Sequence, residues 1–303
     1  MAAVATRARA LTSAVLAQWP LPDVGDSADK ESRGHVLVVA GSHEMPGAAL
    51  LAAVAALRTG AGKLTIAAPR RVAEGLALAI PEARVLGLAE SRAGGFLQAG
   101  CKALRPVAPS VASVVLGPGM LDERRSAAFV RAVLPCFRNS LTVLDALAMS
   151  AAHGGPFDQP VVMTPHAGEM AHLSGLSKET INADPLRVAR EAAARWNACV
   201  VLKGPTTYLA LPDGTAWRFD GGTAGLATSG SGDTLAGLIG GLAARGAPPL
   251  QAAAWGVLLH AHAGHALRKR QGPLGYLARE LSGEVPALMA QLARRDQPRT
   301  VRR

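Results

Sequence analysis

Residues 220–246 decide the fold and read DGGTAGLATSGSGDTLAGLIGGLAARG. The first half of this stretch is rich in glycine and contains few bulky side chains. The second half places four apolar residues at the i, i+3, i+4 and i+7 spacing of an amphipathic helix: Leu235, Leu238, Ile239 and Leu242. The sequence therefore predicts a glycine-rich loop that enters a helix close to Asp233.

Such a loop collects backbone N–H groups at the positive end of the helix dipole. Glycines also let the backbone approach a ligand closely. Gly230, Ser231 and Gly232 are thus predicted to form an anion site suited to phosphate. Asp233 would be the nearest carboxylate, and it belongs beside a phosphate only if it takes a proton or holds a metal. The alternative is that Asp233 is a plain helix N-cap behind a tight turn.

Outward from this stretch, short apolar runs predict strands that alternate with helices. The predicted strands lie at 35–40, 63–68, 84–88, 113–116, 141–144 and 199–203, with another near 161–163 and a hairpin at 208–211 and 217–219. Helices are predicted up to Gln18, up to Thr59, from Leu235, over 249–267 and over 283–295. This order indicates an α/β fold with a mostly parallel sheet covered on both faces.

The whole chain, residues 1–303, is expected to form one domain, with a short N-terminal lead-in and a basic C-terminal tail. No apolar run reaches transmembrane length without glycine or charge, so we expect no membrane association. The N-terminus does not read as a signal peptide. The three cysteines are far apart in sequence and fit reduced thiols of a cytoplasmic protein.

Several predicted strands end in residues that can contact a ligand. The strand at 35–40 runs into Gly41-Ser42-His43-Glu44-Met45-Pro46-Gly47-Ala48, and the strand at 113–116 runs into Gly117-Pro118-Gly119. Asp145 follows the strand at 141–144. In such sheets the carboxyl ends of the strands form the ligand-binding edge. Taken alone, each turn is also compatible with a purely structural role, and Asp145 with a cap.

Two further strand ends carry candidate ligand contacts. Thr164-Pro165-His166-Ala167-Gly168-Glu169 places His166 at a strand end and Glu169 in the first turn of a helix. Lys203 ends another strand and precedes Gly204-Pro205-Thr206-Thr207, where it is either a phosphate contact or a solvated lysine. The histidines at 260, 262 and 265 lack the i, i+4 spacing of a zinc pair, and we interpret them as packing or surface residues.

These motifs resemble a known family. Gly230-Ser231-Gly232-Asp233 resembles the Gly-x-Gly-Asp signature of ribokinase-like proteins. Within that superfamily, the stretch Thr164–Glu169 and the turns at 41–48 and 117–119 are most similar to ADP/ATP-dependent NAD(P)H-hydrate dehydratases. The resemblance covers about residues 30–290. It implies a ribokinase-like three-layer sandwich and a single catalytic domain, with no room for the epimerase domain to which this family is often fused.

The resemblance also implies the reaction. ADP or ATP, with Mg²⁺, would phosphorylate the ring hydroxyl of the S-epimer of hydrated NADH or NADPH, and phosphate would leave as the double bond re-forms. Asp233 would be the base, and no protein residue is assigned as a metal ligand. The implied substrate contacts are Ala48, Gly119, His166 and Asp233. The implied nucleotide contacts are Lys203, Gly204, Pro205, Thr206, Thr207, Gly230, Ser231 and Gly232.

The chain departs from the family pattern at Met45, Leu147 and Thr223. Two other functions remain open at this point: a vitamin or sugar kinase of the same superfamily, and a basic binding protein without catalytic activity. The net charge of +10 permits nucleic-acid binding, but the chain lacks basic–aromatic interleaving or a nucleic-acid motif. An anionic dinucleotide is the simpler partner. The family further implies a homo-oligomer, a tetramer.

Overall fold

The computed structural model describes residues 7–22 and 29–295, without the side chains of 293–295. Part of the predicted lead-in loop and most of the predicted basic tail lie outside these ranges. The described chain builds a ten-stranded sheet. Its strands are β1 (Arg9–Ala10), β2 (His35–Val39), β3 (Lys63–Pro69), β4 (Ala83–Leu88), β5 (Ser113–Leu116), β6 (Leu141–Leu144), β7 (Val161–Met163), β8 (Cys199–Leu202), β9 (Thr207–Ala210) and β10 (Ala216–Phe219).

The strand order is β1-β10-β9-β8-β7-β6-β5-β2-β3-β4. Only β9 runs against its neighbours, because the hairpins on either side of it reverse the chain twice. All other pairs in this sheet are parallel. The prediction of a mostly parallel sheet is therefore confirmed, as is the hairpin after β8.

The helices are α1 (Ser13–Ala17), α2 (Pro46–Arg58), α3 (Arg70–Ala79), α4 (Cys101–Leu104), α5 (Glu123–Val133), α6 (Ala167–Ser174), α7 (Lys178–Ala183), α8 (Pro185–Trp196), α9 (Ser231–Ala244), α10 (Pro249–Gln271) and α11 (Ala278–Arg295). Short 3-10 helices occupy Gln98–Gly100, Ala108–Ser110, Leu134–Phe137, Ala146–Gly154 and Ala224–Leu226.

Helices cover both faces of the sheet. Successive strand residues point to opposite faces, so Val36 and Val38 of β2 enter one apolar cluster whereas Leu37 and Val39 enter the other. The first cluster includes residues of α1, α2, α3, α9, α10 and α11. The second includes residues of α4 to α8. The predicted three-layer α/β sandwich is confirmed.

The close packing of α9 depends on glycine. The predicted apolar stripe of this helix is buried, and the backbones of α9 and α2 lie in close contact. A Cβ atom added at Gly237 would collide with the carbonyl oxygen of Ala52 in α2. The glycines in the middle of this helix therefore let α9 pack tightly against α2 and the sheet.

The structure adds elements that the sequence patterns did not reveal. The two-residue strand β1 pairs in parallel with β10 at the edge of the sheet, and the chain after β6 forms a 3-10 helix. Within residues 7–22 and 29–295, no helix combines the length and apolar character needed to cross a bilayer.

Candidate active site

A cavity of about 740 Å³ opens at the carboxyl edge of the sheet, beside the N-terminus of α9. One end is polar and is lined by Asp145, His166, Glu169, Lys203 and Asp233. The glycine-rich segment 222–232 forms much of one wall. The other end is apolar and includes Phe219, Leu226, Val257 and Ala261. The cavity therefore offers a charged end for phosphate chemistry and an apolar end for a flat ring.

The start of α9 has the geometry of an anion site. Gly230 is the N-cap with a φ of 86°, a left-handed conformation that glycine adopts without strain. No side chain caps this helix end. The N–H of Ser231 donates to Thr228 O at 3.2 Å, so the next two N–H groups, those of Gly232 and Asp233, are the ones available to a ligand. Asp233 is the third residue of the helix rather than its N-cap. The capping alternative for Asp233 is therefore wrong.

The carboxyl group of Asp233 is adjusted for proton transfer. Its pKa is raised from 3.8 to about 6, chiefly by burial and next by the negative charge of Asp145, against the opposing positive charge of Lys203. The charge of Glu169 adds a smaller upward contribution. A base with this pKa is ionised at neutral pH yet binds a proton readily, which is the property required of a general base.

Lys203 lies among the carboxylates at the polar end. Its Nζ is 3.3 Å from Asp145 Oδ1 and 3.6 Å from Glu169 Oε2. Burial works to lower the pKa of Lys203, but the charges of Asp145, Glu169 and then Asp233 outweigh burial and raise the pKa. Lys203 is thus a fixed cation at the polar end of the cavity, not the solvated turn lysine of the alternative interpretation.

Asp145 anchors this cluster from the end of β6. Its side chain is 4% exposed, and its Oδ1 also accepts a hydrogen bond of 2.7 Å from the hydroxyl of Thr164. A buried carboxylate needs such partners because desolvation is costly. Gly232 faces this pair: a Cβ added there would lie 3.3 Å from Lys203 Nζ and 4.0 Å from Asp145 Oδ2. The first turn of α9 therefore lies directly over the Asp145–Lys203 pair.

His166 and Lys203 are neighbours in the sheet, although the resemblance assigned them to different ligands. They form a parallel bridge that extends β7 and β8, and Lys203 N donates to Pro165 O at 2.8 Å. His166 is the N-cap of α6. Its Nδ1 accepts from the backbone N–H groups of Gly168 (2.9 Å) and Glu169 (3.2 Å). The proton of neutral His166 must then be on Nε2, which makes this ring atom a hydrogen-bond donor.

The structure gives His260 a role that the sequence patterns missed. This histidine lines the cavity from α10, and its Nε2 lies 2.9 Å from Ser231 Oγ and 3.1 Å from Ser231 O. Burial lowers its pKa to about 4, so the ring is neutral at physiological pH. His260 therefore holds the first residue of α9 in place. The spacing of the three histidines gave no signal of this contact, which links two helices.

Three predicted contact residues lie outside the lining of this cavity. Ala48 and Gly119 face each other across the turns after β2 and β5: a Cβ added at Gly119 would lie 2.6 Å from Ala48 Cβ and 2.8 Å from Met45 O. They form a separate wall near the N-terminus of α2. Thr206 instead donates its hydroxyl proton to Asp220 Oδ1 at 2.8 Å. Its neighbours Gly204, Pro205 and Thr207 line the cavity.

Thr223, where the chain departs from the family pattern, takes part in a structural contact. The hydroxyl groups of Thr223 and Tyr276 lie 2.9 Å apart, and Tyr276 is buried against Gly225. This pair attaches the glycine-rich wall of the cavity to the loop before α11. Leu147 belongs to the 3-10 helix after Asp145 and packs, partly buried, against the second apolar cluster.

The sequence profile of the NAD(P)H-hydrate dehydratase family matches residues 36–287, a span that includes the polar end of the cavity and the N-terminus of α9. The chain belongs to the NAD(P)H-hydrate dehydratase family. It is also 48% identical over 288 residues to the ADP-dependent (S)-NAD(P)H-hydrate dehydratase of Xanthomonas campestris, covering 95% of this chain and 98% of that protein.

Two further members extend the comparison. The bifunctional NAD(P)H-hydrate repair enzyme of Moorella thermoacetica is 37% identical over 94% of this chain, which spans about half (54%) of that longer protein. The ADP/ATP-dependent NAD(P)H-hydrate dehydratase of Bacillus subtilis, crystallised with ATP and Mg²⁺, superimposes with a TM-score of 0.81 at 29% identity, covering 97% of this chain and 100% of that chain. The ribokinase-like fold expected from the sequence is thereby confirmed for this NAD(P)H-hydrate dehydratase family member.

Proposed function

We propose that this protein is an ADP- or ATP-dependent dehydratase that converts the S-epimer of hydrated NADH or NADPH back to the intact dinucleotide. Asp233 carries this proposal. It lies in the first turn of α9, beside uncapped N–H groups and Lys203, and burial raises its pKa to about 6. A vitamin or sugar kinase would share these features, but family membership favours the dehydratase.

The reaction begins with transfer of a phosphoryl group. Asp233 accepts the proton of the ring hydroxyl as that oxygen attacks the terminal phosphorus of the nucleotide, and AMP or ADP leaves. The N–H groups at Gly230–Gly232 and the ammonium of Lys203 stabilise the charge on the transferring group. Phosphate then leaves from the ring, the neighbouring ring carbon loses a proton, and the double bond re-forms. Phosphorylation of the hydroxyl assists the elimination because phosphate is a far better leaving group than hydroxide.

The remaining site residues divide the cavity between the two ligands. Lys203, Gly204, Pro205 and Thr207, with the loop Gly230–Gly232, are proposed to contact the adenine nucleotide, whereas Thr206 holds this turn through its hydrogen bond to Asp220. Phe219, Leu226 and Val257 provide an apolar surface for its base. The hydrated nicotinamide is proposed to lie between Asp233 and His166 on one side and the Ala48–Gly119 wall on the other.

The carboxylates at the polar end fit a nucleotide-bound Mg²⁺ but not a protein-only metal site. Magnesium usually takes one or two carboxylates and completes its shell with water and phosphate oxygens. Asp145 and Glu169 already pair with Lys203, and no group of three His, Cys, Asp or Glu side chains in the described chain is arranged for a metal. A nucleotide-bound Mg²⁺ would then be held mainly by phosphate oxygens and water and would neutralise phosphate charge, which leaves Asp233 available as the base.

The test is incubation of purified protein with hydrated NADH and ADP or ATP, following the return of dihydronicotinamide absorbance. Recovery that requires the nucleotide supports the proposal. A stable phosphate ester without recovery would instead identify a kinase. Heat-inactivated protein and the Asp233→Asn variant are the controls.

The assembly and location are proposed from the family. We expect a homotetramer, as the family resemblance implies. Light scattering on the eluted peak of a sizing column would test this number. The cytoplasm is the expected compartment, in agreement with three free cysteines.

A further inference from the structure

Two cysteines that are far apart in sequence meet in the layer of α4 and α5. Cys101 begins α4, and Cys136 lies in the 3-10 helix Leu134–Phe137 that follows α5. Their sulfur atoms are 3.6 Å apart. Both sulfurs also lie near the carbonyl oxygen of Ala132, at 3.2 Å for Cys101 and 3.9 Å for Cys136. The third thiol, Cys199, is buried in β8 on the other apolar cluster.

This arrangement is close to the geometry of a disulfide. An S–S bond is about 2.05 Å long, so closing the gap requires each sulfur to move by only about 0.8 Å. Rotation of the two side chains can supply most of that movement. Because both thiols already touch, a bond between them needs no unfolding of either helix.

The two thiols differ in their access to an oxidant. Cys101 is buried, and burial followed by its contact with Cys136 raises the pKa of its thiol, which outweighs the opposite influence of Arg105. Cys136 is only partly buried. Since the thiolate is the reactive form and needs access, Cys136 is the thiol that an oxidant reaches first, and Cys101 is positioned to react second.

We propose that Cys101 and Cys136 form a reversible disulfide when the protein meets a peroxide. The Cys136 thiolate attacks the O–O bond and becomes a sulfenic acid, while the other peroxide oxygen leaves and is protonated. Cys101 then attacks the Cys136 sulfur, its own proton goes to the departing hydroxide, and water is released. In sum, two thiols and hydrogen peroxide give one disulfide and two waters. A dithiol reductant reverses the reaction.

The bond would protect this layer of the protein. It ties α4 to the end of α5, next to the stacked pair of Phe96 and Phe129, whose centroids are 5.1 Å apart. It also stops oxidation of Cys136 before the irreversible sulfinic acid. Neither cysteine lines the cavity, so the oxidised protein is expected to keep its catalytic turnover. The bond closes a long loop, so the oxidised form should also melt at a higher temperature.

The experiment uses the full chain treated with about one equivalent of hydrogen peroxide. Thiols counted under denaturing conditions are expected to fall from three to one, with a peptide that links Cys101 to Cys136 in mass spectrometry. Dithiothreitol should restore all three. Cys199→Ser is the matched control and should still lose both of its thiols. When excess peroxide is added, at least two equivalents, Cys136 in Cys101→Ser should proceed through the sulfenic acid to the sulfinic acid, whereas Cys136→Ser should oxidise slowly.

Three results would overturn the proposal. The first is retention of all three thiols after treatment. The second is a Cys136 sulfinic acid that forms as fast in the parent as in Cys101→Ser, because Cys101 would then not trap the intermediate. The third is a disulfide that links two chains, visible as a covalent dimer in non-reducing electrophoresis. A lower melting temperature of the oxidised protein would contradict the protective role.

Discussion

Replacement of Asp233 by asparagine separates chemistry from structure at this site. The change keeps the size of the side chain and removes both its negative charge and its ability to accept the proton. Because Gly230, not Asp233, is the N-cap of α9, the start of the helix should be unaffected. Nucleotide affinity should hold or increase, since a negative charge near the phosphates is lost. Turnover should fall about 10²–10⁴-fold, the usual contribution of a positioned base.

The same variant should be more stable than the parent, with a defined pH dependence. The folded pKa of Asp233 is raised from 3.8 to about 6, so the unfolded chain ionises first as pH rises. Stability is lost between these two values, and above about pH 6 the loss reaches about 3 kcal/mol for a shift of this size. Asparagine carries no such cost. The melting temperature should therefore rise by about 5 °C at pH 7 and be unchanged below pH 3.8.

Three measurements on this variant decide the matter: turnover of hydrated NADH, calorimetric affinity for ADP, and melting temperature at pH 7 and at low pH. Asp213→Asn is the matched control, since Asp213 accepts from Thr215 N in the hairpin turn and lies away from the cavity lining. Turnover within a few-fold of the parent would refute the base assignment. Loss of nucleotide affinity together with turnover would show that Asp233 acts mainly through Mg²⁺.

In the parent, kcat/KM should fall as pH drops through about 6, because protonated Asp233 cannot act as a base.

Three further changes test the surrounding parts. Lys203→Ala should weaken ADP or ATP binding roughly tenfold or more, because a charge-assisted contact is lost. It should also raise the pH midpoint of kcat/KM, because Lys203 lowers the pKa of Asp233. Unchanged calorimetric affinity for the nucleotide would exclude the contact. His166→Ala should weaken binding of the hydrated dinucleotide more than binding of the adenine nucleotide. His166→Asn, which retains a capping side chain, should show the same selectivity with a smaller loss of melting temperature. Equal losses of affinity for both ligands would contradict the assignment of His166 to the substrate. Gly237→Ala should lower the free energy of unfolding in urea by at least about 2 kcal/mol, because the added Cβ collides with Ala52 O. Gly47→Ala is the control, since a Cβ added there meets nothing within 4 Å. Equal stabilities of the two variants would refute the packing argument.

Much of the fold could be predicted because its signals are local. The run at 141–144 and the hairpin after β8 depend on apolar patterning and turn residues close in sequence, and both appear as predicted. The strand β1 could not be predicted, since two residues carry no periodicity and only pairing with β10 makes them a strand.

The candidate site could be predicted in its parts more than in its arrangement. Each predicted residue follows a strand or precedes a helix, and the sequence reveals such positions. The proximity of Lys203, Asp145 and Glu169 to one another depends on the order of the strands in the sheet, which the sequence does not reveal. His260 and the Cys101–Cys136 pair gave no signal because their partners are distant in sequence. The wall of Ala48 and Gly119 was found only through the family resemblance.

The most direct test of the central proposal is the stoichiometry of the reaction. Purified protein is mixed with the S-epimer of hydrated NADH and excess ADP, and AMP, inorganic phosphate and restored dihydronicotinamide are measured together, with the R-epimer as the control. The proposed mechanism predicts one AMP and one phosphate for each NADH recovered, and no recovery from the R-epimer or without nucleotide. Recovery without nucleotide, or AMP formed with a stable phosphate ester and no NADH, would contradict it.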